Sequence, residues 1–106
     1  QSPVDRAATQ AAAESYSILF RSRSFDLSNY RRAVRGELDA DLVLAELESL
    51  MKSDQAEFVR FVRGLGAHVD HQWWLINGCG VRATTDQIAA IRRHPRVLDV
   101  QEDIPF

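Results

Sequence analysis

The stretch that decides the fold runs from Gly66 to Asp103 and reads GAHVDHQWWLINGCGVRATTDQIAAIRRHPRVLDVQED. Ala67–Trp73 alternates around Val69, His71 and Trp73, the period-two pattern of a half-buried strand. Trp74–Gly78 reads as a turn, and Asn77-Gly78 inside it is a strong hairpin signal. Cys79–Ala83 supplies the next strand. Thr84-Thr85-Asp86-Gln87 spells a capping box: a hydroxyl at the cap, an acid in the first turn and a Gln three residues on. The helix behind it turns Ile88, Ala89 and Ile91 inward. Arg92, Arg93 and His94 occupy its last turn, where positive charge suits the dipole, and Pro95 ends it. Val97–Gln101 is a closing strand, followed by the acidic pair Glu102-Asp103 and the tail Ile104-Pro105-Phe106.

Working back from Gly66, the period changes. Leu42, Leu47, Leu50, Met51, Phe58, Phe61, Val62 and Leu65 recur mostly at three- and four-residue steps, one face of a long helix starting near Asp39. Gly64 and Gly66 stop it. Asp54-Gln55 interrupts the stripe and is where a bend is expected. Ser24–Glu37 is a polar connection with a helical turn near Asn29–Val34. Ser15–Ser22 (SYSILFRS) is a buried strand built on Ile18, Leu19 and Phe20. Residues 1–14 are Ala-rich and polar, a flexible arm or a short helix at Ala7–Ala13. The expected order is strand, helix, strand, strand, helix, strand. Residues 15–106 therefore read as one α+β domain, a ferredoxin-like βαββαβ sandwich. Its four-stranded antiparallel sheet would carry two helices on one face and leave the other open.

Composition narrows the function. Thirteen Lys and Arg against fifteen Asp and Glu give a net charge of −2 over 106 residues. That balance disfavours a general nucleic-acid binder, which needs a basic face to neutralise phosphates. No apolar run approaches the ~18 residues of a membrane span. The single cysteine, Cys79, excludes an internal disulfide framework and a multi-cysteine metal site. The chain begins Gln1-Ser2-Pro3 with no initiator Met and no charged-then-apolar leader, as a mature secreted protein or a trimmed fragment would.

From Tyr16 to Asp103 the chain resembles the propeptide, or peptidase-inhibitor, domain of subtilisin-type serine proteases. Gly66-Ala67-His68-Val69 is similar to the family's entry into its second strand. Trp74-Leu75-Ile76-Asn77-Gly78 is similar to its turn into the third. Thr84-Thr85-Asp86-Gln87-Ile88 is similar to the opening of its second helix. The run from His94 to Asp103 (HPRVLDVQED) is similar to its last strand and acidic exit. The front half fits more loosely. The resemblance implies a non-enzymatic module without cofactor or metal, and a secreted or extracytoplasmic setting. Its partner would be a subtilisin-like catalytic domain, which it helps to fold and then inhibits until degraded. It also implies protease-binding residues: an open sheet face carrying Trp73 or Trp74, an acidic segment Gln101, Glu102 and Asp103 capping partner helices, and Ile104, Pro105 and Phe106 lying in the substrate cleft. A carboxylate suits such a cap because a helix N-terminus presents unpaired N–H groups. Gln101 stands where the family has its first Glu, which shifts the cap toward Glu102. Three residues beyond Asp103 reach at most ~10 Å.

Plainer readings stand beside these. Adjacent Trp73 and Trp74 should point to opposite faces of a strand, one into the core and one outward. His68 and His71, three apart, should also fall on opposite faces, and nothing completes a metal set around them. Cys79 between Asn77-Gly78 and Gly80 reads as a small buried residue rather than a nucleophile. The same fold could instead serve as a small-ligand regulatory module, for which Asn77-Gly78-Cys79-Gly80 is the candidate site, or as a stand-alone inhibitor acting in trans. An RNA-reading sheet needs paired aromatics in a basic setting, and Trp73-Trp74 at this net charge does not supply it.

Overall fold

The computed structural model describes residues 13–103. Seven elements follow one another: β1 (Glu14–Phe20), α1 (Ser28–Val34), α2 (Ala40–Gly64), β2 (His68–Trp73), β3 (Gly78–Ala83), α3 (Thr85–Arg92) and β4 (Val97–Glu102). The four strands form one antiparallel sheet in the order β2-β3-β1-β4, so β1 is central and β4 is an edge. The calls on residues 1–12 and on Ile104, Pro105 and Phe106 lie outside the described residues.

The architecture is α+β with an open antiparallel sheet, and it has three helices where two were expected. The additional one, α1, grows from the turn foreseen near Asn29–Val34. It buries no residue, so its sequence carries no apolar stripe to announce it; its N-cap residue Leu27 supplies no side-chain bond, and Asp26 instead accepts from the Ser28 N–H. It packs on α2, and Tyr30 meets Trp74 edge-on with ring centroids 5.0 Å apart.

The core lies between the sheet and the helices α2 and α3. Alternation along β1 sends Tyr16, Ile18 and Phe20 inward, where Cys79, Val81 and Ala83 of β3 and Val97 and Val100 of β4 meet them. Phe58 and Val62 of α2 and Ile88 and Ile91 of α3 close the layer from above. Phe20 meets Phe58 edge-on at 4.8 Å. The stripe of α2 runs Val43, Leu47, Met51, Gln55, Phe58, Val59 and Val62. Leu42 and Leu50, expected on it, are 71% and 38% exposed. They sit one step out of phase with the buried row, which β-branched Val43 enters instead.

Asp54-Gln55 does not break α2, which runs unbroken for 25 residues. Gln55 is fully buried because its amide has partners. It donates to the carbonyls of Trp73 and Gly78 and accepts from the Gln72 side chain. Asp54 pairs with Arg96, whose guanidinium also lies 4.6 Å from the Phe20 ring centroid. Burial raises the Asp54 pKa, but the hydrogen bonds from Arg96 and Ser24 and the Arg96 charge outweigh it and hold the carboxyl below its usual value. Gln55 in the stripe and Asp54 beside it thus pin α2 to the β2–β3 turn and to Arg96 ahead of β4.

The local signals at the other ends behave as their chemistry requires. Asp39 caps α2 through the N–H groups of Asp41 and Leu42. Thr84 and Gln87 form the reciprocal capping box of α3. Gly66 takes a positive φ of +88° just past the end of α2. Asn77-Gly78 works differently from a two-residue hairpin turn: the turn spans residues 74–77 and Gly78 opens β3 with an ordinary negative-φ backbone. Its glycine is required by approach, since a Cβ there would stand 2.3 Å from the carbonyl oxygen of Ile18.

Candidate functional site

The face of the sheet away from the core forms a grid set by strand register. One row across it holds Trp73, Gly78, Leu19 and Asp99. The next holds His71, Gly80, Ser17 and Gln101. The third holds His68, Arg82 and Ser15, and Asp103 closes it by donating its backbone N–H to the Ser15 carbonyl. The middle of the face is low because Gly78 and Gly80 carry no side chains. Trp73 leans across this floor, with its ring tip 3.4 Å from where a Gly80 Cβ would stand, and stacks on His71 at 6.2 Å. A shallow groove of about 410 Å³ runs beside it, lined by Ser15, His71, Trp73, Gly80, Arg82 and Asp103.

A β-bulge puts both histidines here. Register shifts between Val69 and His71, so His68 faces Arg82 and His71 faces Gly80, two positions on one side of β3. The expectation that His68 and His71 lie on opposite faces fails for that reason: one extra residue in β2 reverses the alternation. Asp70, at the bulge, binds Arg82 at 3.3 Å. Among the described residues no three His, Cys, Asp or Glu side chains come together as a metal site.

The adjacent tryptophans divide differently from the expectation. Trp73 belongs to the open face. Trp74 lies past the end of β2, in the turn, so strand alternation no longer governs it and it joins neither face. It packs on Tyr30, and its carbonyl accepts from Arg23. Neither indole belongs to the buried core.

Alternation also separates the acidic segment. Gln101 opposes Ser17, and Asp103 bonds back at Ser15, so both sit on the open face together with Asp99. Gln101 donates to Asp99 at 3.2 Å, and the Ser17 hydroxyl donates to Asp103 at 2.8 Å. Glu102 opposes Tyr16 and lies on the helix side. A hydrogen bond with Glu14, and repulsion from it, holds its carboxyl above the usual value. The open face is therefore divided: indole and imidazole rings toward β2, carboxylates toward β4. Asp99 was missed by sequence reasoning, although its period-two spacing from Gln101 and Asp103 was the signal that marks it.

Of the glycine-rich strip Asn77–Gly80, Gly80 borders the groove beside Trp73. Gly78, Cys79 and Gly80 are all buried. Ile18 backbone fills the space above Gly78, and Trp73 that above Gly80. Burial pushes the Cys79 thiol up to about 12, far from the thiolate a nucleophile needs. No described helix is long and apolar enough to cross a membrane. Comparison with protein families, curated proteins and solved structures finds no match to this chain.

Proposed function

We propose that the chain is the propeptide, or inhibitor domain, of a subtilisin-like serine protease: a secreted, non-catalytic module that assists folding of the protease and occupies it until degraded. In this reading the strand order β2-β3-β1-β4 is the ferredoxin-like order, with α2 and α3 as its two crossovers and α1 as an insertion. The partner is the protease catalytic domain, and the tail Ile104-Pro105-Phe106 enters the substrate cleft.

The observation that carries the reading is where the motif set falls. Gly66–Asp103 resembles the family in order and spacing, and it supplies three of the four strands of a sheet whose second face carries Trp73 at one side and Asp103 at the other. An uncovered sheet face with a half-buried indole is the kind of surface that anchors a protein partner. The acidic exit, read this way, acts through Asp103 and Asp99 rather than Glu102, because only the former lie on that face.

Titration of the chain into a subtilisin-type protease, beside a version lacking residues 104–106, tests the proposal. Tail-dependent inhibition in the nanomolar-to-micromolar range is the expected result. Inhibition that survives the deletion places the binding energy on the sheet face. Absence of both inhibition and complex with any subtilase, including one encoded downstream, refutes it.

A further inference from the structure

We infer that the free edge of β4 is a self-association surface: two copies of this chain join their β4 strands antiparallel about a two-fold axis at Val100, and the two sheets become one. The inference stands on the register of the sheet and does not depend on the inhibitor reading.

The two edges of the sheet differ. Among the described residues β2 pairs only with β3, and β4 only with β1. The β2 ladder is broken mid-strand by the bulge between Val69 and His71, a device that blunts an edge. In β4 the register shift falls at its first residues, Val97 and Leu98, and leaves 99–102 regular. No proline or lysine interrupts Val97–Glu102, so its outer side is an open template for another strand.

Register decides which backbone groups face that edge. The Asp103 N–H donates to the Ser15 carbonyl, at the end of the ladder that pairs Gln101 with Ser17 and Asp99 with Leu19. Hydrogen-bonding direction alternates along an antiparallel strand. Asp99, Gln101 and Asp103 therefore turn their backbone groups toward β1, and Val100 and Glu102 turn theirs outward. A second β4, laid antiparallel so that Val100 meets its own copy, makes a hydrogen-bonded pair at the axis. The same register puts Gln101 opposite Asp99 of the second copy, in a pair of the close-spaced kind, and Glu102 opposite Leu98.

These pairings are chemically matched. The Gln101 amide donates to a carboxylate across the axis, as it does within the chain to Asp99 at 3.2 Å. Beside Leu98, which is 56% exposed, lies a polar pocket of about 150 Å³ lined by Arg21, by Arg92 of α3 and by residues 97–100. The Glu102 carboxylate of the second copy arrives there, between two guanidinium groups. Within one chain its close neighbour is instead another carboxylate, Glu14, which shares a hydrogen bond with it and repels it. Pairing thus moves a crowded carboxylate next to cations. Registers one residue away lose this match. Centred on Asp99 they oppose that carboxylate to its own copy, and centred on Gln101 they oppose Asp99 to Asp103. The surface is self-complementary, so the contact closes as a dimer.

Sedimentation equilibrium of the 106-residue chain tests this. The average mass should rise with concentration from 12.0 kDa, reach half-dimer at about 100 μM or below, and stop at the dimer. Arg92→Glu and Glu102→Arg should each weaken the dimer at least about tenfold. The two together in one chain should restore it to within about threefold, a rescue that loss of folding cannot mimic. An equimolar mixture of Asp99→Cys and Gln101→Cys chains, oxidised in air, should cross-link 99 to 101 in preference to 99–99 or 101–101. A 12.0 kDa species up to about 1 mM, growth past the dimer, a charge swap that does not rescue, or dominance of the like-with-like cross-links overturns the inference. No protease enters these readouts, so the inhibitor reading can fail while this one stands.

Discussion

One strand, β1, shows two regions of the molecule side by side. Its inward residues Tyr16, Ile18 and Phe20 are 9%, 0% and 3% exposed, under two helices. Its outward neighbours Ser15, Ser17 and Leu19 lie on a face no described helix covers. The backbone hydrogen bonds are shared, so the difference between the faces is all side chain. The inner face carries stability through apolar burial. The outer one, with a glycine floor, one indole and charges at its edges, contributes little to stability and is free to be shaped by a partner.

That contrast is sharpened first by alanine at adjacent positions. Ile18→Ala should cost about 2–5 kcal/mol in urea unfolding, the range for a fully buried aliphatic, whereas Leu19→Ala one residue away should cost less than about 1 kcal/mol. Equal losses would mean that the outer face is as load-carrying as the inner one. Gln55→Leu comes next. It leaves the Trp73 and Gly78 carbonyls without their side-chain donor, and a loss of about 1–3 kcal/mol is expected by the same measurement.

The Asp54–Arg96 pair predicts a pH limb. Because the Asp54 carboxyl is held below its unfolded value, its contribution is present at neutral pH and is lost as pH falls through the depressed folded value. Asp54→Asn should therefore be less stable than the parent at pH 7. The gap should close in acid, below the ordinary carboxylate range near 4. A gap that persists at low pH would assign the effect to shape rather than charge. Smallest in stability is Trp73→Ala, expected within about 1 kcal/mol of the parent on melting. The same variant should weaken inhibition of a subtilisin-type protease at least tenfold, and inhibition that does not change would remove Trp73 from the docking face.

Much of the fold was legible because its signals are local. The capping box at Thr84–Gln87, the start of the long helix near Asp39 and the apolar run Ile18–Phe20 each depend on a few neighbouring residues, although β1 alternates and turns Leu19 to the outer face. What the sequence concealed depends on distant partners. Gln55 reads as a break in a stripe until Trp73, Gly78 and Gln72 are seen to satisfy it. The α2 stripe enters at Val43 rather than Leu42 because packing, not hydropathy, sets its phase. On the open face, a single bulge near Asp70 moved His71 across the sheet. The end of β2 at Trp73 took Trp74 out of the alternation. The acidic segment was visible as composition, but which of its carboxylates share a face emerged only from the pairing of β4 with β1.

Cys79 gives these relations a clock. Its thiol lies in the central part of the sheet, fully buried and opposite Ile18 on β1. With its pKa pushed up to about 12, it carries almost no thiolate while the sheet is closed. A thiol-reactive dye added to the folded chain therefore reports openings of the core layer between sheet and helices, in which Cys79 lies. Excursions of α1 or of the turn at 74–77 leave it silent. One residue, already in the sequence and needing no substitution, distinguishes fraying at the edge of this molecule from loss of its middle.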